Sequence, residues 1–419
     1  MKISSKYCLL LWMALLLACL CACKEQDRFA INSDNMTPPS PPVFLSYKPL
    51  SGGVRLFYQI PNDEDVLSVD AEYTATNGKI VRFSASYFVD SLDVYGFANT
   101  DPQTVKLFAT NRAGIRSTSV EVGVIPLESA LPKVVGNISV KPAVRSFIID
   151  WENELKQTLN VYVSFKYNDK GREHSFTTVF SSNNATERKF INDLDLEENV
   201  PISVNVWIED LYGNKTESID KGQIILLHDY EVTKSDWVFP APGTEIGGVV
   251  MCNGNVVEGR ITYLNDGIIN TGNEMNFIHT GQNAPWNILI DLGDYYELTR
   301  IATWQRRFSG SADPYIQGSL YGGENVGEYS MYRWDDETGS WEFLSTHRIP
   351  IPTGIGEMEI IKMHNRYGNE AYILPDEPRF TKPTRWFRYE ALSAFGSNYT
   401  SKGCTNISEM TLWGRKYNR

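Results

Sequence analysis

Basic patches are missing from this 419-residue sequence. It sets 39 Lys and Arg against 51 Asp and Glu, for a formal charge of −12, and no basic run breaks that balance. Such a chain has no electrostatic reason to bind nucleic acid. Histidine is scarce too: His174, His228, His279, His347 and His364 are scattered, without the spacing of a metal-ligand motif. No Gly-x-Ser-x-Gly nucleophile elbow and no phosphate loop is present. Of the six cysteines, four lie within the first 23 residues, leaving Cys252 and Cys404 in the folded part. Apart from the N-terminus there is no long apolar run.

What is there begins with Lys2 and Lys6, followed by an apolar stretch from Cys8 to Ala22. At roughly 15 residues it suits a signal-peptide core and falls short of a spanning helix. It ends in Leu20-Cys21-Ala22-Cys23, which resembles a lipobox, and Lys24-Glu25-Gln26-Asp27 resembles the charged tag that directs Bacteroidetes lipoproteins to the outer leaflet. The expectation is cleavage of residues 1–22 and acylation of Cys23, with more than one chain for stable anchoring. Loss of Lys2 and Lys6, with no acid in the leader, takes the charge from −12 to −14. Residues 23–42 read as a tether, since Pro38-Pro39-Ser40-Pro41-Pro42 cannot form a helix and is stiff and extended.

Two all-β blocks follow, over 43–127 and 128–230. In the first, Val69, Ala71 and Tyr73 alternate with polar residues, and Thr76-Asn77-Gly78-Lys79 reads as a hairpin turn. Further strands are predicted at 54–60, 81–87, 91–95 and 104–110, spacing that describes a sandwich. In the second, Val161, Val163 and Phe165 repeat the alternation. Leu107–Gly114 aligns with Val206–Gly213: a strand, then Asn111 or Asp210, then after two residues a Gly that closes a turn. The blocks read as a duplication, and they resemble the fibronectin type III-like modules of Bacteroides surface lipoproteins.

From 231 to 419 the texture changes to more Gly, Trp and Tyr. Ile288, Ile290 and Leu292 alternate, as do Met410, Leu412 and Gly414, so both segments read as sheet strands. Leu264-Asn265-Asp266-Gly267 with Thr271, Pro285–Gly293, Leu298–Arg306, Trp341–Leu344, Trp386–Glu390 and Ile407–Gly414 resemble, in order, six segments of the discoidin (coagulation-factor 5/8 type C) family, a galactose-binding-like jelly roll. The fold expected is therefore two fibronectin type III-like β-sandwiches and a C-terminal discoidin-like β jelly roll.

That resemblance implies a structural Ca²⁺ held by Asp266, Thr271 and Glu409, because calcium takes six to eight oxygens from carboxylates and carbonyls. Asp266 could instead cap its own turn and Glu409 could pair with an arginine. The resemblance also implies a Cys252–Cys404 disulfide closing a ring of ~150 residues, worth on the order of 4–5 kcal/mol; two buried thiols are the alternative. Sugar recognition asks for an aromatic face and planar polar groups. The rim segments Asn276–His279, Gln305–Phe308 and Phe395–Tyr399 supply them, with Phe277, His279, Arg307 and Tyr399 as candidates; Arg306 could equally make an ion pair and Phe308 fill the core. The function expected is a non-catalytic, lipid-anchored outer-membrane protein facing the cell surface. It would bind a glycan beside a SusC/SusD-like importer. A lipoprotein contacting only proteins and an unrecognised glycoside hydrolase are the alternatives.

Overall fold

The computed structural model describes residues 34–192, 194–252, 256–258, 260–269, 276–281, 283–307, 320–399, 403 and 405–418. Cys23, Thr271, Phe308 and Cys404 lie outside them, and so does the leader. Among the described residues no helix is long and apolar enough to cross a membrane. The architecture is all-β.

The first sandwich is built from β1 (Val43–Leu50), β2 (Gly53–Gln59), β3 (Val66–Thr74), β4 (Ile80–Ser86), β5 (Ser91–Tyr95), β6 (Gln103–Asn111) and β7 (Val120–Val124). Its sheets run β1-β2-β5 and β4-β3-β6-β7. Val69 and Ala71 are fully buried and Tyr73 nearly so, as their alternation requires. After a helix at Ala130–Asn137 the second sandwich follows with β8 (Ser139–Ala143), β9 (Ser146–Glu152), β10 (Leu159–Asp169), β11 (Arg172–Ser182), β12 (Thr186–Ile191), β13 (Pro201–Asp210) and β14 (Ile219–Ile225). Its sheets, β12-β9-β8 and β11-β10-β13-β14, repeat the first topology strand for strand. The strand alternation gives no sign of the helix, which buries Ala130, Leu131, Val134 and Val135 against the second core.

The repeated turn is the same object in both sandwiches. Asn111 N–H donates to Ile115 O, and its Oδ1 accepts from Ala113 and Ile115 N–H. Asp210 N–H donates to Asn214 O, and its Oδ1 accepts from Tyr212 and Asn214 N–H. Gly114 and Gly213 stand at φ 80° and 83°, a conformation glycine adopts without a Cβ clash. Each turn also receives the segment before its own module. Asn111 Nδ2 donates to the carbonyls of Asn35 and Thr37 in the tether, while Asn214 Nδ2 donates to Gly96 O of the first sandwich.

The C-terminal domain, expected as a jelly roll, is built of antiparallel β-sheets. Its main sheet contains β15 (Tyr230–Glu231), β20 (Trp286–Trp304), β21 (Val326–Asp335), β22 (Ser340–Arg348), β23 (Asn369–Tyr372), β24 (Thr384–Ala394) and β26 (Glu409–Lys416). The order is β15-β26-β20-β24-β21-β22, with β23 also on β20. A small sheet joins β18 (Val256–Glu258), β19 (Ile278–Thr280) and β25 (Asn406–Ile407), and β16 (Glu245–Ile246) pairs with β17 (Val249–Val250). The segments 285–293 and 298–306, expected as separate strands, lie largely within one long strand. Its first part pairs with β24 and its second with β26. Between them Gly293 takes φ 80°, and a Cβ there would sit 2.8 Å from Asp236 O. Ile288, Ile290, Leu292, Met410 and Leu412 are fully buried. Leu289 is buried as well, so β20 is covered on both faces at that point.

Candidate functional site

Strand alternation sets the site. On β26, Met410 and Leu412 enter the core, so Glu409, Thr411 and Trp413 face the other way. Opposite them in register on β20 stand Trp304, Ala302 and Arg300, paired with Glu409, Thr411 and Trp413 respectively. Small residues occupy the middle and large ones both ends, four residues or about 13 Å apart along the strand. This face floors a groove of about 930 Å³. Its walls are Glu231 on β15 and Lys234 just after it, Gly267 and Ile269, the helix Glu357–Tyr367 with Met363, His364 and Tyr367, and Arg145 and Asp195 from the second sandwich.

The module junction holds that wall in place. Val144 N–H donates to Pro378 O at 2.9 Å, Tyr372 Oη–H to Val144 O at 3.2 Å, and Arg188 Nη1 to Asp376 O at 3.1 Å. At the groove's far end Arg300 grips buried Asp229 through Nε and Nη2 (2.8 and 3.2 Å) and Glu370 through Nη1 (2.7 Å). Its guanidinium lies 4.0 Å from the centre of the Trp413 ring. At the near end Lys234 Nζ meets Glu409 Oε1 at 2.6 Å, and Gly267 N–H donates to Oε2 at 3.0 Å. Burial nonetheless pushes the Glu409 carboxyl up to about 7, against the pull of Lys234.

Trp304 is 8% exposed, and its Nε1–H has no acceptor among the described residues. Gly368, at φ 75°, lets the backbone pack flat on this indole; a Cβ there would stand 2.9 Å from the ring. A buried donor without an acceptor loses free energy unless something else supplies one. The other sizeable junction cavity, about 490 Å³ between the two sandwiches, differs in this respect. There Gln157 bonds Ser51 O and Ala130 N–H, Ser129 bonds Ala98 O, and Asp210 is occupied by its turn.

The rim residues read from the sequence do not form one open patch. Phe277 is 1% exposed, with the Arg306 guanidinium 3.8 Å over its ring, so it cannot offer a face to a sugar; this corrects the expectation. Arg306 therefore stacks on a ring, while Phe308 lies outside the described residues. His279 sits in the small sheet opposite Glu258 and Asn406, with Nε2 3.9 Å from Glu324. Arg307 is half-buried. Tyr399 donates its hydroxyl to Ile349 O at 2.6 Å and packs on Phe395 and Gly327, a separate set from Phe277.

The two carboxylates expected at calcium have other partners. Asp266 caps its own turn through Ile268 N–H (2.8 Å) and accepts from Asn276 Nδ2 (2.9 Å), and Glu409 faces an ammonium. Among the described residues no cluster of three or more His, Cys, Asp or Glu could hold a metal. Thr271 lies outside them. Cys252 is buried and stands as a free cysteine, and its expected partner Cys404 is outside the described residues.

Sequence reasoning missed the groove because Arg145, Lys234, Trp304, Tyr367 and Trp413 come from five distant segments. One signal was available: Trp413 alternates with core residues Met410 and Leu412 on its strand, which turns a large aromatic away from the core.

None of the curated proteins compared with the chain matches it. Among solved structures, a SusE-like protein is similar over 68% of this chain and 98% of its own, at 19% identity and a TM-score of 0.40. The C-terminal domain of a chitobiase from Bacteroides fragilis is similar over 45% of this chain and all of its own, at 15% identity and 0.28. A two-domain fibronectin type III segment of chicken tenascin is similar over 44% and 99%, at 15% and 0.22. Two family models match parts of the chain: a domain of unknown function (DUF4959) over residues 39–126, and a second domain of unknown function (DUF5000) over residues 265–414.

Proposed function

We propose that the protein is a non-catalytic, cell-surface glycan-binding lipoprotein, and that the groove between the second sandwich and a discoidin-like jelly roll is its glycan site. The observation that carries this is a small-residue floor with half-buried Trp413, one ring face against Arg300, at one end and Trp304, whose Nε1–H has no acceptor among the described residues, at the other. Pyranose rings present apolar C–H faces to aromatic rings and hydroxyls to planar polar groups, and about 13 Å accommodates two or three of them. The two acids nearest the floor serve structure: Glu409 is bound by Lys234 and Gly267, and Glu370 by Arg300. That favours capture over hydrolysis. In this reading Cys23 carries the lipid, the Pro-rich segment leads into the first sandwich, and the glycan is handed to a SusC/SusD-like importer in the outer membrane.

The test is an affinity screen of the protein against plant, host-mucin and microbial polysaccharides, with Trp413→Ala and Trp304→Ala beside Arg307→Ala and Tyr399→Ala. Binding lost in the tryptophan variants and kept in the rim variants supports the groove; the reverse moves the site to the rim. Release of reducing ends by the pure protein would make it a hydrolase.

One observation favours a second reading, contact with a protein partner. The helix Glu357–Tyr367 and its approach expose Ile355, Met358, Ile360, Met363 and Tyr367 to solvent.

A further inference from the structure

We infer that the second sandwich supplies a ligand contact of its own, Arg145, and that the glycan it reads carries an acidic group. This rests on the groove being a glycan site and adds both a residue and a substrate class to it.

Arg145 occupies the two-residue turn between β8 and β9, where Ala143 pairs with Ser146. It is held at φ 51°, a left-handed conformation that glycine and asparagine adopt far more readily. Other side chains in the protein share that conformation, among them Lys156 and Lys170, but Arg145 is the one that lines the groove. Its neighbours fix it there. Val144 is fully buried against the jelly roll, Arg145 N–H donates to Leu227 O, and Arg145 O accepts from Leu194 N–H. Strain retained at a clamped position is a reason to look for a role.

The guanidinium is under-used. Its Nε is buried with no hydrogen-bond partner among the described residues, and Nη1 lies 3.9 Å from Glu370 Oε1, an ion-pair distance beyond hydrogen-bond reach. The other Glu370 oxygen already accepts from Arg300 at 2.7 Å. Two more donors share the groove without an anionic partner. Trp304 Nε1–H has no acceptor, and Arg366 lies 5.0 Å over the Tyr367 ring with no carboxylate against it among the described residues. Of the acids facing this space, Glu409 is bound by Lys234 at 2.6 Å and Glu370 by Arg300 at 2.7 Å, while Glu231 stands 3.9 Å from Lys234. Asp195 is exposed at the sandwich wall. The Arg145 Nε, the Trp304 Nε1–H and the Arg366 guanidinium are donors, and a ligand that brings an acceptor group complements them. A carboxylate or sulfate ester meets a guanidinium fork in two parallel hydrogen bonds, which a neutral hydroxyl cannot do.

The experiment uses the whole protein and three probes: an oligogalacturonate, a sulfated chondroitin oligosaccharide and a neutral galactan oligosaccharide. Titration calorimetry should show at least one acidic probe bound about tenfold or more tightly than the neutral one, with the preference shrinking as salt is raised. The carboxylate and sulfate arms tell which acid is read. Arg145→Ala should remove that preference by weakening the acidic probe about tenfold more than the neutral one, with Arg145→Lys in between. Arg145→Gly relieves the left-handed strain, so it should melt no lower than the parent and still lose the preference. Equal affinity for acidic and neutral probes in the parent overturns the acidic inference and leaves the glycan reading standing. Binding of none of the three, nor of any glycan in the wider screen, overturns both. An unchanged preference in Arg145→Gly removes Arg145 from the site.

Discussion

Replacing Glu409 by glutamine should change how the stability of the jelly roll depends on pH. The carboxyl is 1% exposed, and its burial pushes it up to about 7 from an ordinary 4.5. Between those values the folded protein holds a proton that the unfolded chain has released. The contribution of that proton is fully present below 4.5 and is lost as pH rises through about 7. Each tenfold difference in proton affinity is about 1.4 kcal/mol, so the loss amounts to ~3 kcal/mol. For a domain of this size that is a fall in Tm of roughly 6–12 °C. The amide of the Glu409→Gln variant stays neutral throughout, so the variant should lack this component. Seven of the ten tryptophans, from Trp237 to Trp413, lie in the jelly roll, which makes fluorescence-detected melting report mainly on that domain. Melts of both proteins at half-unit steps from pH 4.5 to 8 would be subtracted, leaving the titration of this one group. Curves that run parallel would refute the reasoning, because they would mean that Lys234 keeps the carboxylate ionised and that the ion pair outweighs burial.

Asn214→Ala should leave the Gly96 carbonyl and the Thr76 hydroxyl unmet at the joint between the sandwiches, destabilising it by about 1–3 kcal/mol. Small-angle scattering should then show a larger radius of gyration, and an unchanged one would mean that other contacts hold the joint. Gly368→Ala should push a methyl against Trp304 and force a left-handed alanine, lowering the jelly-roll Tm and weakening glycan binding together. Loss of one without the other would show that this glycine does not position the indole. Chelation with EDTA should leave the jelly-roll Tm unchanged, since Lys234 and the Gly267 N–H already engage both Glu409 oxygens. A drop of several degrees would restore a calcium ion to that place.

Much of the architecture was legible because it is set by short-range alternation. Val69, Ala71 and Tyr73, and Val161, Val163 and Phe165, enter their cores as a period of two requires, and the Asn111 and Asp210 turns match as their sequences do. The site was less legible because it depends on what covers what. Nothing local to Phe277 says that Arg306, 29 positions on, closes over its ring. Nor does the sequence around Glu409 say that Lys234 reaches it across 175 residues, in a place where the resemblance implied a metal. The helices at Ala130–Asn137 and Glu357–Tyr367 escaped because each is short, and strand-like apolar spacing in their neighbours dominates the pattern.

The most direct test of the central claim is a crystal of the protein soaked with whichever glycan the screen selects. Electron density for sugar rings is expected along the floor between Trp304 and Trp413, with hydrogen bonds to Trp304 Nε1 and to Arg145. Sugar density at His279 and Tyr399 instead, with the groove filled only by water, would contradict it.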